Sequence, residues 1–462
     1  MSSRRILLLF LAALAVRLAY QWALSVSGGT NIDADSATYI GFAGNIMEGG
    51  NMAGADAPGP HSERMPLYPY FLALVFSLSG GTNLGAAVSF QAIVDSLTVL
   101  AVAILAAAID RRWALPAGML AALWPNLIIN TAYVLTDTLF MGFFAWGLAA
   151  CLWALRKPNP SLLLGVSGVA FGLALLTRPV LMFFPFLLLP ALAWLLKREL
   201  AADWPRAARM AAIPVIVMFA FVVPRLVDSY VHYGSPVLTT QAGRHAVNYV
   251  YPCLRTAWTC GDMHALHAEN RALIAARLAV LPPEAAANPV IVDRLRRDLA
   301  MERVGALPLA QIAYGALAGA ALNLFHTSIS QLGYQFKLRR SSVLKGVMTP
   351  GATLKERISG LRRAATTEWF TPFWLAGLLV LGASRLIQLA GLVSGLRQRD
   401  TRGPIMFMFV VALYFLIVNG SLGYARLRLP MEPTFIVLFV AGLAGSGLLD
   451  RIQGFVDRLR HP

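Results

Sequence analysis

The chain has 462 residues, of which 57% are hydrophobic and only 13% are charged. Soluble domains carry roughly 25% charged residues, so this composition excludes a soluble globular protein. The formal charge of +16 does not indicate nucleic-acid binding, because the basic residues form short clusters between apolar runs. We expect an all-α polytopic membrane protein without a nucleic-acid partner.

The basic clusters orient the first half of the chain, because short loops that hold Lys and Arg stay cytoplasmic. Arg4 and Arg5 place the N-terminus inside, and the apolar run after them lacks a convincing cleavage site, which predicts a retained first helix. Residues 28–66 then lie outside. The segment 66–80 is too short to cross and holds two prolines, which favours an interfacial or re-entrant helix. The predicted spans cover 6–26, 84–109, 114–132, 138–155, a hairpin with its tight turn at "TRPV", and 209–224.

The second half holds a large outer loop and three further spans. Within 225–304, apolar residues at helical spacing predict two amphipathic helices, the second capped by Asn288. The segment 305–325 is apolar enough to cross, but crossing would leave the short basic cluster at 396–403 outside. We therefore expect this segment to stay at the outer surface. Spanning helices at 369–392, 404–420 and 430–449 then bring the total to about ten.

These elements predict three regions. They are an N-terminal transmembrane core with the first outer loop (1–224), an outer region with amphipathic helices and a membrane-associated helix (225–368), and C-terminal spans with a cytoplasmic tail (369–462). The segment 330–368 is strongly basic. Three interpretations are open: the segment holds a phosphorylated acceptor, it is a solvated loop, or it lies inside and the segment 305–325 crosses the membrane.

The ionisable residues that orientation does not explain gather at the outer membrane boundary. They are Asp33, Asp35, His61, Glu63, Arg64, Asp137, Arg178, Arg426 and Arg428. A transporter would place such groups near the bilayer midplane instead. The set suits group transfer from a lipid-borne anionic donor, because a carboxylate accepts the proton of an attacking hydroxyl and arginines neutralise a departing phosphate.

Five motifs follow one another on this predicted face: "DADSATY", "RMPLYPYFLAL", "LTDTLF", "GLALLTRP" and "RLRLPMEP". They resemble the GT-C superfamily of membrane glycosyltransferases, above all the branch with protein O-mannosyltransferases and the bacterial lipid A aminoarabinose transferase. The resemblance implies a GT-C helical bundle with interfacial helices on the periplasmic side of a bacterial inner membrane. It also implies an inverting transferase that moves a sugar from a polyprenyl-phosphate donor to an envelope glycan, lipid or protein. The rival hypothesis is a transporter or flippase of a lipid-linked saccharide.

The resemblance assigns the catalytic base, or a place beside it, to Asp33 and Asp35. Asp35 is favoured because Asp35 and Tyr39 share one helical face, as the family spacing does. Asp137 is the third catalytic candidate and would orient the acceptor. For each aspartate the alternative is helix capping. Some relatives use a divalent ion between such carboxylates, so Asp35 and Asp137 are the candidate ligands if a metal binds, although the resemblance requires no cofactor.

By the same resemblance, Arg64, Arg178, Arg426 and Arg428 contact the lipid phosphate. Tyr68, in the predicted interfacial helix, and His61, in the first outer loop, are further candidates for substrate binding. The alternative for the arginines is snorkelling to the lipid headgroups.

Two further pairs have structural interpretations. Cys253 and Cys260 share one outer loop, where an oxidising compartment permits a local disulfide. Arg17 and Asp95 lie within predicted spans, and because charges inside a membrane pair with one another, we expect them to meet inside the bundle. A proton-coupled pathway is the alternative for that pair.

Overall fold

The computed structural model of the protein describes residues 2–53, 62–259, 263–338, 355, 358–360, 362–363 and 369–451. Within these ranges the regular secondary structure is helical and contains no strand. Seven of the described helices are long and apolar enough to cross a membrane, or eight if one bent pair counts as a single span. The chain is therefore an integral multi-pass membrane protein, as its composition predicts.

The N-terminal region contains ten helices, joined in two places by 3₁₀ turns at Arg111–Trp113 and Pro179–Leu181. In chain order the helices are α1 (Ser3–Val26), α2 (Ser36–Met47), α3 (Leu67–Leu78), α4 (Leu84–Ile109), α5 (Ala114–Ala122), α6 (Pro125–Thr131), α7 (Asp137–Ala154), α8 (Ser161–Thr177), α9 (Phe184–Leu200) and α10 (Trp204–Tyr233).

The continuous span predicted over 114–132 is wrong, because the chain breaks between α5 and α6. Pro125 stands at the first turn of α6, where its missing amide costs no hydrogen bond, but the same residue cannot continue the helix before it. The predicted spans at α8 and α9 have 17 residues each, which is short for a crossing. The broken α5–α6 segment and the short helices α8 and α9 account for the difference between the ten predicted spans and the seven long helices.

The middle region is also helical. Its elements are α11 (Ala242–His245), a π-helix (Ala246–Val250), α12 (Tyr251–Thr259), α13 (Met263–Ala279), α14 (Pro283–Ala287), α15 (Pro289–Gly305), α16 (Leu309–Phe325) and α17 (Ile329–Gln335). The two predicted amphipathic helices correspond to α13 and α15. The Asn288 side chain accepts from the amides of Val290 and Ile291, so the predicted N-cap of α15 is confirmed.

The C-terminal region contains two long helices and a third that follows a 3₁₀ segment. They are α18 (Phe370–Arg397), α19 (Arg399–Asn419), the 3₁₀ segment (Ala425–Met431) and α20 (Glu432–Gly445).

The basic clusters meet at one end of the bundle, which we call the basic end. Arg112 lies 3.9 Å from Asp450, and Arg198 donates to the backbone oxygen of Arg399 at 3.1 Å. Helices α4, α9, α18 and α20 therefore approach this end with the termini that the positive-inside rule predicts. The opposite end, where α1 ends and α7 begins, is called the site end.

Helix α16, the segment whose crossing was in question, is attached to the site end. Gln311 donates to the Leu254 carbonyl at 3.2 Å, and Asn323 donates to the Leu422 carbonyl at 2.7 Å. Helix α17 follows, and the backbone oxygen of its Gln335 accepts from Thr30, just after α1. The axes of α15 and α16 bend by 113°. These contacts agree with a segment that does not cross the membrane.

A buried ion pair joins α1 and α4 inside the bundle. The Nε of Arg17 is 2.6 Å from Asp95 Oδ2, and both side chains are buried. The remaining guanidinium nitrogens donate to backbone carbonyls, among them that of Ala122 at 2.8 Å. The predicted contact between α1 and α4 is thus confirmed, and every nitrogen of the buried arginine has an acceptor, as a low-dielectric interior requires.

Candidate active site

Asp33 and Asp35 stand where the chain leaves α1 and enters α2, and neither carboxylate caps α2. Asp35 is the N-cap residue, but its side chain accepts no capping hydrogen bond. Asp33 Oδ1 accepts from the adjacent amide of Ala34 at 2.8 Å. Because a cap would accept from the second or third amide of the helix, both carboxylates remain available to partners across the site.

Asp137 is the first residue of α7 and is almost fully buried, with 1% of its side chain exposed. Thr136 makes no capping bond to α7. The Asp137 carboxylate forms an ion pair with Arg178, which follows α8, and its other oxygen lies 3.2 Å from Arg426 Nε. The carboxylate therefore holds two arginines, and its burial fixes their positions.

Arg426 is the centre of the cluster. Its guanidinium lies 2.9 Å from Asp33, 3.2 Å from Asp137 and 3.9 Å from Asp35. The 3₁₀ segment before α20 carries it, after a turn at Gly420 where a φ of +55° favours glycine. Residues from three distant parts of the sequence thus meet at one arginine, and Asp35 and Arg426 lie at the same end of the bundle, as the sequence analysis expects.

Arg64 completes the cluster from the first outer loop. Its Nη2 lies 2.7 Å from Asp35, and its guanidinium stands over the Tyr39 ring at 5.5 Å, so it bridges the predicted helical face of α2. Although burial lowers the pKa of Arg64, Tyr39 and Asp35 raise it above its ordinary value. The buried Nε of Arg64 has no hydrogen-bond partner among the described residues. One charged donor is therefore left for a ligand.

The formal charges of the cluster cancel. Its members are Asp33, Asp35 and Asp137 on one side and Arg64, Arg178 and Arg426 on the other. The arginines are therefore already positioned for an anionic phosphate. Its oxygens can replace the carboxylates as the hydrogen-bond partners of these arginines.

Two predicted binding residues lie beside the cluster and not within it. The Tyr68 side chain is buried; its ring meets the edge of Tyr39 with centroids 5.2 Å apart, and its hydroxyl donates to Gln91 at 2.7 Å. Arg428 points away from the aspartates. It is 3% exposed, pairs with Glu432 at 2.8 Å and donates to the backbone oxygen of His326. Both residues pack beside the cluster and contact its neighbours.

Some predictions from the sequence concern residues outside the described ones. His61 and Cys260 are among these, so the binding role of His61 and the disulfide between Cys253 and Cys260 stay predictions. Most of the basic segment 330–368 lies outside them as well.

A divalent ion does not fit the cluster as it is arranged. The guanidinium of Arg426 occupies the space between the carboxylates of Asp33, Asp35 and Asp137, where a cation would have to bind. In the part of the chain that the structure describes, no group of three or more histidine, cysteine or acidic side chains is arranged so that it could hold a metal ion. In this arrangement Asp35 and Asp137 are ion-pair partners of arginines and not ligands of a divalent ion.

Sequence reasoning did not single out His245. Loss of surrounding water and the positive charge of Arg64 lower its pKa, with smaller contributions from Arg178 and Arg244, while Asp35 opposes the shift. Electrostatic interactions with three members of the cluster indicate that the ring lies beside it. In the sequence His245 is one of several scattered histidines in a long loop, and no spacing distinguishes it from the others.

Residues 59–227 match the family model described as dolichyl-phosphate-mannose-protein mannosyltransferase. The matched stretch includes Arg64, Asp137 and Arg178. No curated protein shows significant sequence similarity to the chain. The crystal structure of the Archaeoglobus fulgidus oligosaccharyltransferase tethered with an acceptor peptide is similar, with a TM-score of 0.54 at 13% identity over 98% of this chain and 50% of that one.

The chain therefore has the fold of this oligosaccharyltransferase, a helical membrane bundle of the kind that the resemblance to GT-C enzymes implied. A second structure, of archaeal oligosaccharyltransferase AglB from Archaeoglobus fulgidus in complex with an inhibitory peptide and a dolichol-phosphate, matches this chain with a TM-score of 0.51, 14% identity and coverage of 99% and 51% of the two chains. ArnT from Cupriavidus metallidurans bound to undecaprenyl phosphate matches with a TM-score of 0.39, 15% identity and coverage of 96% and 78%. The chain spans about half the length of the archaeal oligosaccharyltransferase.

Proposed function

We propose that the protein is an inverting glycosyltransferase. It moves a sugar from a polyprenyl-phosphate donor to an envelope glycan, lipid or protein acceptor, with its site end at the periplasmic face of a bacterial inner membrane. The observation that carries the proposal is the convergence of three aspartates and three arginines at the end opposite the basic clusters. The family match and the dolichol-phosphate complex of a protein with the same fold support a polyprenyl-phosphate donor.

The arginines are the phosphate-binding groups of this proposal. Arg64 has a buried Nε without a hydrogen-bond partner among the described residues, and Arg426 lies between three carboxylates. Planar guanidinium groups fit phosphate oxygens in pairs. The lipid tail of the donor stays in the bilayer, so the phosphate arrives at the membrane boundary where these arginines lie.

Asp35 is the general base. Its side chain is 38% exposed, whereas that of Asp137 is 1% exposed, so Asp35 can reach an acceptor hydroxyl from solution. Asp33 and Asp137 are positioning residues, because they hold Arg426, and Asp137 also holds Arg178.

The transfer is a single displacement. Asp35 takes the proton of the acceptor hydroxyl, whose oxygen attacks the anomeric carbon of the sugar. The bond from that carbon to the phosphate oxygen breaks, and the polyprenyl phosphate leaves with the electron pair. Attack from the face opposite the leaving group inverts the anomeric centre. Negative charge grows on the phosphate during this step, and the arginines stabilise the transition state because their charge is already in place.

The proposal is tested by mass spectrometry of envelope glycans from a deletion strain. Deletion should remove one sugar from one envelope component, and the wild-type gene should restore it. The variant Asp35→Asn should fail to restore it. Asp450→Asn is the matched control, because Asp450 is exposed at the basic end.

Two outcomes would overturn the proposal. An unchanged envelope in the deletion strain would exclude sugar transfer as the function. Restoration by Asp35→Asn would favour a flippase, which keeps moving lipid without a catalytic base.

A further inference from the structure

The segment that carries His245 is fastened to the residues just before Arg64. The amide of Thr240 donates to the Ser62 carbonyl at 2.9 Å, and the hydroxyls of the same two residues lie 3.0 Å apart. Arg244 forms an ion pair with Glu63 at 2.8 Å. Residues 239–245 are therefore attached to the loop that contains Arg64.

A second anchor fixes the same segment from the other side. The Asp293 carboxylate of α15 accepts from the amide of Arg244 at 3.1 Å. Gly243 lies so close to the backbone of α15 that a Cβ would collide with the carbonyl oxygen of Asp293. The close packing holds the turn that ends at His245 in one position.

The backbone changes its helical pattern directly after His245. The π-helix Ala246–Val250 inserts a wider turn between α11 and α12, and such turns occur often at functional sites. His245 is an exposed residue, and its ring packs on the Tyr249 ring, with centroids 5.4 Å apart and planes at 62°. The imidazole is thus packed on one side while the residue still reaches solvent.

We infer that His245 contacts the donor phosphate and donates an N–H hydrogen bond to one of its oxygens, beside Arg64. This inference rests on the proposed function and adds a residue from the outer region to the phosphate site. Among the groups that act electrostatically on the ring, Arg64, Arg178 and Arg244 are cationic and Asp35 is acidic. A surplus of cations favours the phosphate over a second acid as the partner.

The lowered pKa of His245 fits this role, because a neutral imidazole keeps one N–H donor and adds no further cation to a site rich in arginine. A hydrogen bond to a charged group contributes enough that its loss weakens binding about tenfold or more.

The test is the affinity of the purified full-length protein, in lipid nanodiscs, for undecaprenyl phosphate. Undecaprenol, which lacks the phosphate, serves as the control ligand. The variant His245→Ala should bind undecaprenyl phosphate about tenfold more weakly and bind undecaprenol unchanged. His245→Gln, whose amide also donates, should recover most of the loss.

His232→Ala is the matched control. His232 is an exposed histidine at the end of α10 that interacts with Asp228 on its own helix, so its removal should leave both affinities unchanged. A wild-type affinity in His245→Ala would overturn the inference. An unchanged affinity with a lost rate of sugar transfer would also overturn it, because the ring would then serve the acceptor. If the wild-type protein transfers no sugar at all, the proposed function fails instead.

Discussion

Replacing Arg426 by glutamine removes a side chain that contacts all three aspartates of the cluster. Its guanidinium presents one nitrogen 2.9 Å from Asp33 and another 3.2 Å from Asp137, and a bound phosphate would take over such bonds. A hydrogen bond between charged groups contributes about 1.5–3 kcal/mol. We therefore expect Arg426→Gln to weaken the binding of undecaprenyl phosphate by roughly 10- to 100-fold.

Arg426→Lys refines this prediction. Lysine keeps the charge but cannot make two parallel bonds, so its affinity should lie between wild type and Arg426→Gln. The assay is equilibrium binding of undecaprenyl phosphate in nanodiscs, with thermal unfolding recorded for each variant to show that it is folded.

Arg209→Gln is the control for the arginine variants. Arg209 is exposed near the start of α10 and donates only within its own helix, to the Pro205 carbonyl at 3.3 Å, so its loss should leave binding unchanged. A folded Arg426→Gln that binds undecaprenyl phosphate as tightly as wild type would refute the assignment of this arginine to the phosphate site.

Three further predictions concern stability and the outer region. Asp95→Asn leaves the buried Arg17 without its counter-charge and should lower the free energy of unfolding by about 3–5 kcal/mol. The double variant Arg17→Met with Asp95→Leu should recover most of that loss. Both variants are measured by thermal unfolding in detergent. The pKa of His245 is lower in the folded protein than its unfolded value of about 6.5. The stability that the neutral ring contributes is therefore present above about pH 6.5 and is lost as the pH falls through the lower folded pKa. Wild type should thus lose more thermal stability between about pH 7.5 and about 5 than His245→Gln. Gly243→Ala should displace the His245 segment from Asp293 and weaken the binding of undecaprenyl phosphate severalfold. Gly305→Ala, at an open position, is the control and should leave binding unchanged. Equal affinities of the two variants would contradict the role of Gly243 in anchoring the segment.

That the basic clusters and the charged residues of the site lie at opposite ends of the bundle could be predicted from the sequence. In a chain with few charges, each charged residue that the positive-inside rule leaves over is informative, and Asp33, Asp35 and Asp137 were found in this way. The contact between Arg17 and Asp95 followed from the same scarcity, since a buried charge needs a partner.

Other features depend on contacts that the sequence does not encode locally. Arg426 and Arg428 are two residues apart, and only the 3₁₀ segment decides that the first faces the aspartates while the second pairs with Glu432. His245 reaches the site through hydrogen bonds to residues about 180 positions earlier, such as that of Thr240 with Ser62. No periodic pattern in the sequence indicates such contacts, so the roles of the side chains in this loop can be assigned only from the folded structure.

The most direct test of the central claim compares binding and transfer in one preparation of Asp35→Asn. With the sugar identified by mass spectrometry, the variant should bind undecaprenyl phosphate about as tightly as wild type. Its transfer rate should fall by roughly 10²–10⁴-fold, the usual contribution of a general base. Transfer at the wild-type rate would contradict the account, and so would a loss of binding in step with the loss of transfer.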